Sequence, residues 1–237
     1  MIHFHEVEKS DGTRQVFRNL TLFLPKASYT LLCGGQQSGK TMLVRMLMAY
    51  ERPDRGTLRV DGIDIGTIPA DRIPFLRRQI GLIADTPAFL EDRTVAENLS
   101  VPLQLAGFEQ ELIQTRLHAM LDHTGLQELQ NQKLHKLSRP TRHLISVARA
   151  TIHKPTIVVA DEPLSDSDAD TSDLIIRLLN DANTYGATVL ITCQSDAAQL
   201  LQASSTVKTL TLADGSILED EFDQNKSPDN NTRGYQR

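Results

Sequence analysis

The chain has 237 residues, 40% hydrophobic and 23% charged, with 25 Lys and Arg against 30 Asp and Glu, a formal net charge of −5. This is the composition of a globular protein long enough to bury its core without disulfides or structural metals, and the mildly acidic balance argues against broad nucleic-acid binding, which needs a basic surface. Two cysteines far apart in sequence, Cys33 and Cys193, make neither a disulfide framework nor a zinc cluster, and with no apolar run of roughly 18 residues and no signal-like start, any membrane link is expected through a partner.

In chain order, the first zone, to about residue 84, is rich in short strand patterns: 4–7, 16–24 with near-alternating apolar positions, and 29–33. Residues 57–65 then read as strand, Asp61-Gly62 turn and strand. Between about 87 and 152 the pattern becomes helical, and 109–122 carries Leu112, Ile113, Leu117, Met120 and Leu121 at helical spacing. Strands return at 157–160 and 188–193, separated by a helical stretch that begins near Asp170 and ends at Tyr185-Gly186. Strand, helix, strand is the order that builds a parallel sheet. Residues 210–218 resemble a closing hairpin, and 221–237 read as a polar, Asn-rich, disordered tail.

The most specific signal is Gly34-Gly35-Gln36-Gln37-Ser38-Gly39-Lys40-Thr41, which fits G-x-x-x-x-G-K-[ST] between the strand at 29–33 and a helix at 41–49. Its glycines let backbone N–H groups approach phosphate oxygens, and the helix N-terminus adds favourable partial charge. Lys40 is the residue placed to hold the β- and γ-phosphates of a nucleotide, and the Thr41 hydroxyl to ligate Mg²⁺. Gln37 occupies a position where another glycine is common. The second signal is Ile157-Val158-Val159-Ala160-Asp161-Glu162-Pro163, an apolar strand ending in two carboxylates. Beside a phosphate-binding loop, Asp161 is expected to hold Mg²⁺, and Glu162 to polarise the attacking water.

Together these residues resemble the ATP-binding-cassette (ABC) ATPases. The resemblance covers 1–220 and implies an α/β P-loop fold with a mostly parallel core sheet, an antiparallel β lobe and a helical subdomain at about 86–152. Within the family, Ile73-Pro74-Phe75-Leu76-Arg77-Arg78-Gln79-Ile80-Gly81, Asp92-Arg93-Thr94-Val95 and Val101-Pro102-Leu103 are similar to the FtsE group of bacterial cell-division ATP-binding proteins. Lipoprotein-release and macrolide-export ATPases share much of this segment. The resemblance implies ATP and Mg²⁺ as cofactors, a homodimer closed over its nucleotides, an FtsX-like integral membrane partner, and a peripheral place on the cytoplasmic face of the inner membrane.

Several positions depart from the family pattern. Leu137-Ser138-Arg139-Pro140-Thr141 stands where the family has L-S-G-G-Q, the loop that caps the ATP of the opposite subunit. Arg139 is bulky and Pro140 has no N–H to donate, although proline suits the first turn of a helix. The Arg139 guanidinium either replaces the lost backbone contacts or is simply solvated. Asp85 stands where a glutamine touches Mg²⁺, and its carboxylate is also a ligand type for a hard cation. Gln194 replaces the switch histidine on the γ-phosphate; its amide can donate a hydrogen bond but carries no positive charge. No aromatic ring stands near Asp11-Gly12 to stack adenine. Asp168 matches an aspartate that helps join the two subunits. Phe89 and Leu90 are expected either to anchor a helix of the membrane partner or to fill the core of the helical subdomain. The histidines form no ligand set at metal spacing, and Met42, Met46 and Met48 read as core filler. The implied function is an ATPase coupled to a membrane partner in cell division, with a hydrolysis-deficient scaffold or a lipoprotein-release-type ATPase as alternatives.

Overall fold

The alternating pattern at the N-terminus folds as one antiparallel sheet. In the computed structural model, which describes residues 1–165, 167–194 and 207–219, β1 (Ile2–Asp11) lies between β2 (Arg14–Leu24) and β4 (Arg55–Val60), with the short β5 (Ile63–Asp64) at the edge. Ile2 and Phe4 point inward while His3 and His5 face solvent, the period-two pattern of a half-covered sheet. β1 and β2 are longer than the apolar alternation suggests, because Asp11 with Arg14 and Ser10 with Gln15 still pair beside the tight Gly12-Thr13 turn, and Ile2 pairs with Leu24 at the far end.

The second sheet has six strands in the order β10-β9-β3-β8-β7-β6: β3 (Tyr29–Cys33), β6 (Ile80–Ile83), β7 (Ile157–Asp161), β8 (Thr188–Cys193), β9 (Val207–Ala213) and β10 (Ser216–Glu219). All neighbours pair in parallel except β9 with β10, which form the hairpin that the C-terminal pattern predicts. Every residue of β3, β7 and β8 is buried, as a parallel sheet covered on both faces requires. On one face Leu32, Val159 and Leu190 pack with Phe4, Phe17 and the helix α1 (Lys40–Leu47). On the other face Leu31, Val158 and Ile191 pack with the helices α3 (Val95–Leu105), α4 (Gln110–Thr124), α5 (Arg139–Thr151) and α6 (Ala169–Thr184). Met46 and Met48 are buried in the first of these layers, with Met42 at its margin.

The helices end where their residues dictate. Thr94 and Glu97 form a reciprocal capping box on α3, Ser138 caps α5, and Gly125 closes α4 at φ 69°. Two elements escape the sequence patterns: α2 (Ile73–Arg78) and β6. At Gly81 a Cβ would lie 2.2 Å from the Ala150 carbonyl oxygen, so the end of α5 can pack on β6 only over a glycine. The helices α3, α4 and α5 fall between β6 and β7 in the chain, matching the helical zone of the sequence. The polar tail at 221–237 lies outside the described residues.

Candidate nucleotide site

The loop from β3 to α1 is fixed by what two of its glycines touch. A Cβ at Gly34 would meet the Leu212 carbonyl at 2.8 Å, and one at Gly39 would meet the side chains of Val16 and Phe17 at 2.8 Å each; Gly39 also sits at φ 107°. The chain thus closes a cradle that no larger residue could line at these two points. No side chain caps the first turn of α1, so its backbone donors and partial positive charge face the mouth of the loop. The Ser38 hydroxyl is buried there without a hydrogen-bond partner.

Lys40 is only 5% exposed. Its Nζ donates to the carbonyls of Gly34 (2.6 Å) and Gly35 (3.0 Å) and lies 3.3 Å from Glu162 Oε1. The Lys40 ammonium therefore stands over the loop, between its carbonyls and the end of β7. Asp161, 4% exposed, closes β7, and its Oδ1 accepts from the Thr192 hydroxyl at 2.5 Å. Glu162 follows at φ 48°, its N–H shared between the Thr192 carbonyl and hydroxyl at 3.1 Å each. Gln194 Nε2 stands 3.5 Å from Glu162 Oε2. The parallel register Asp161↔Thr192 and Cys33↔Cys193 brings these groups from three adjacent strands to one sheet edge. That edge is where open α/β sheets bind ligands.

A cavity of about 530 Å³ opens over this edge, lined among others by Arg14, Gln37, Lys40, Thr41, Glu51 and Glu162. The uncapped helix start, the glycine-closed cradle and the Lys40 ammonium fit a triphosphate. Thr41 and Asp161 suit Mg²⁺, which binds through one or two protein oxygens and keeps water and phosphate for the rest.

The sequence profile of the ABC transporter family matches residues 17–165 of this chain. The chain belongs to that family. It is 34% identical over 218 residues to the cell division ATP-binding protein FtsE of Escherichia coli K12, covering 92% of this chain and 97% of that one. FtsE of Haemophilus influenzae is 36% identical over 193 residues, 81% and 88% of the two chains. The methionine import ATP-binding protein MetN 1 of Listeria monocytogenes is 33% identical over 205 residues, 84% of this chain and 61% of the relative. Among solved structures, a dimeric bacterial ABC transporter cassette superposes with a TM-score of 0.81 at 23% identity, over 92% of this chain and 96% of the other. That likeness establishes the ABC cassette fold, with its parallel core sheet, antiparallel lobe and helices.

Of the positions altered against the family pattern, Gln194 touches Glu162 and Gln37 lines the cavity, whereas Asp85, Arg139 and Pro140 lie outside the buried cluster. Asp85 is exposed, two residues past Ile83, which pairs with Ala160, and it joins none of the hydrogen bonds around Lys40 and Asp161. Arg139 is exposed at the first turn of α5, where Ser138 accepts from the Thr141 N–H at 3.3 Å, so the helix forms in spite of Pro140. Neither Arg139 nor Pro140 lines the cavity over Lys40. Asp168 caps α6, accepting from the Thr171 N–H at 2.8 Å, and the Thr171 hydrogen bonds hold its carboxyl below the usual range. Phe89 is half-buried beneath the guanidinium groups of Arg149 (4.6 Å) and Arg142 (5.4 Å), while Leu90 is 50% exposed. Where the family stacks adenine, Asp11 and Arg14 line the cavity instead.

Three contacts around the site are invisible to motif reading. Thr192 ties Asp161 to β8. His143, 3% exposed on α5, has its Nε2 2.5 Å from the Pro163 carbonyl, directly after Glu162. Cys33 and Cys193, separated by most of the chain, bring their sulfurs to 3.3 Å beneath the loop. The hydrogen bond with Cys33, and then burial, push the Cys193 thiol well above the ordinary thiol range. Only the parallel register of β3 and β8 could have signalled this pair.

Proposed function

We propose that the chain is the ATP-binding subunit of a membrane ABC-type complex serving bacterial cell division, acting on the cytoplasmic face of the inner membrane. The observation that carries this reading is the buried Lys40–Glu162–Asp161–Thr192 cluster at the sheet edge, in a chain that aligns with FtsE over nearly its whole length. Gly34, Gly35, Gln36, Gln37, Ser38 and Gly39 wrap the phosphates, Lys40 holds the terminal ones, and Thr41 and Asp161 are the residues for Mg²⁺, with Asp85 at the rim. Bound Mg²⁺ would neutralise charge on the phosphates. Glu162 orients the hydrolytic water and accepts its proton, and the Gln194 amide, beside Glu162, donates toward the terminal phosphate.

Because Arg139 and Pro140 alter the surface that one subunit presents to the other's nucleotide, we propose that hydrolysis by the homodimer alone is slow. Among the described residues no helix is long and apolar enough to cross a membrane, and we assign the membrane work to an integral subunit of the FtsX kind. A groove of about 430 Å³ between α2, β6 and α3, lined among others by Pro74, Arg78, Leu82, Val101, Leu105 and His153, is the surface we assign to it. It lies beside the Phe89 and Leu90 segment and is the better anchor, since Phe89 is already covered by two arginines.

The second reading, a nucleotide-gated scaffold without turnover, is favoured by Arg139-Pro140. Calorimetric Mg-ATP binding, with and without Lys40→Ala, tests the binding site. Co-purification with an FtsX-like membrane protein, with and without Leu105→Asp, tests the coupling. Loss of binding in Lys40→Ala and loss of co-purification in Leu105→Asp are the expected results. Binding that ignores Lys40 would overturn the site assignment, and capture of a lipoprotein-release-type permease instead would overturn the cell-division role.

A further inference from the structure

The nucleotide loop has an oddity of its own at Gln37. This residue adopts φ 64°, left-handed backbone that favours glycine and that an ordinary side chain enters at a cost. Arg14 answers it. The Arg14 Nη1 donates to Gln37 Oε1 at 3.3 Å and its Nη2 to the Gln37 carbonyl, so one planar fork grips both oxygens that the left-handed turn brings to the surface. Arg14 is itself set by the two-residue Gly12-Thr13 turn, and it lines the same cavity as Val16. Val16 and Phe17 are the side chains against which Gly39 closes. β2 thus buttresses the loop on both sides of Ser38, by apolar contact at Gly39 and by a charged fork at Gln37.

We propose that Arg14 is a positioning residue that holds the phosphate loop in its binding conformation by offsetting the left-handed backbone of Gln37. This rests on the reading of the loop as an ATP site, but the strut itself exists without nucleotide. The proposal makes Arg14 and Gln37 an energetic pair: with glycine at 37 the left-handed conformation needs no support, and Arg14 becomes dispensable.

The test is a double-mutant cycle on the full chain: unaltered protein, Arg14→Ala, Gln37→Gly and both together. Mg-ATP affinity is measured by calorimetry, and amide hydrogen exchange of segment 34–39 is measured in nucleotide-free protein. Arg14→Ala is expected to weaken Mg-ATP roughly tenfold, equivalent to about 1.4 kcal/mol, and to speed exchange of the loop, with unchanged melting temperature. In the Gln37→Gly background the same substitution should change affinity by less than about twofold. Equal losses in both backgrounds would mean that Arg14 contacts the nucleotide directly, and would overturn the proposal. No loss in either background would overturn it as well. If none of the four proteins binds Mg-ATP, the reading of the site fails, while loop exchange still decides for Arg14: faster exchange in Arg14→Ala upholds the strut, and an unchanged rate refutes it.

Discussion

At the carboxyl edge of β3 and β7, Lys40 and Asp161 are almost fully buried, each tied to fixed oxygens or a hydroxyl from the neighbouring strand. At the start of α5 and the end of β6, Arg139 and Asp85 are exposed, and Pro140 withholds an N–H from a loop that in the family faces a second subunit's nucleotide. The first region keeps the lysine and the paired carboxylates of the family motifs, with Gln194 as its one altered neighbour; the second departs from the family pattern at Arg139, Pro140 and Asp85. Burial explains part of the contrast. A change at Lys40 or Asp161 leaves a buried charge unpaired or a desolvated donor unsatisfied, whereas a change at an exposed loop costs the fold little. The exposed positions are therefore free to vary without unfolding the protein, and under the proposed function the quantity expected to vary with them is turnover.

The sharpest way to break this comparison is at Lys40. Lys40→Ala should weaken Mg-ATP at least about 100-fold, roughly 3 kcal/mol, because the charge-assisted contacts to the phosphates have no substitute in the cradle. A smaller loss by calorimetry would mean that the buried region is not the nucleotide grip. Glu162→Gln should leave binding intact while lowering phosphate release by about 100-fold or more, the scale of general-base catalysis. Equal loss of binding and release would make Glu162 a structural partner of Lys40 only.

His143→Ala sharpens the link between the two regions. It orphans the Pro163 carbonyl inside the core, at an expected cost of about 1–3 kcal/mol, and lowers the melting temperature by several degrees for a chain of this size. An unchanged melting temperature would show α5 to be uncoupled from the Glu162 turn. The smallest effect is in pH. With the Cys193 thiol held above its ordinary range, the unfolded chain loses that proton at lower pH than the folded one. Stability from this group is full below about pH 8.5 and falls as pH rises beyond it. Chemical denaturation at increasing pH should show that decline, and Cys193→Ser should flatten it.

The loop, the Asp161-Glu162 strand and the order of strands and helices were legible because each is written in consecutive residues with a period or a spacing. The family could be named from those segments, and the departures at Arg139, Asp85 and Gln194 were visible as mismatches. What escaped depends on register between distant segments. Thr192 under Asp161, the Cys33–Cys193 pair and His143 on the Pro163 carbonyl each join residues that no local pattern relates. β6 carries no strand pattern of its own, and what makes Gly81 fit there, the packing of the end of α5 upon it, is a property of the fold. Arg14 was not singled out for a similar reason: its partner Gln37 looked merely like a missing glycine, and its backbone angle is a property of the fold.

The most direct measurement compares Mg-ATP affinity and phosphate release in the unaltered protein and in a variant carrying Arg139→Gly and Pro140→Gly. The account predicts equal affinity in the two proteins and release at least about tenfold faster in the variant, since restored backbone donors act in the transition state. Fast release by the unaltered protein, or a variant no faster than it, would contradict the claim that turnover is limited at the start of α5.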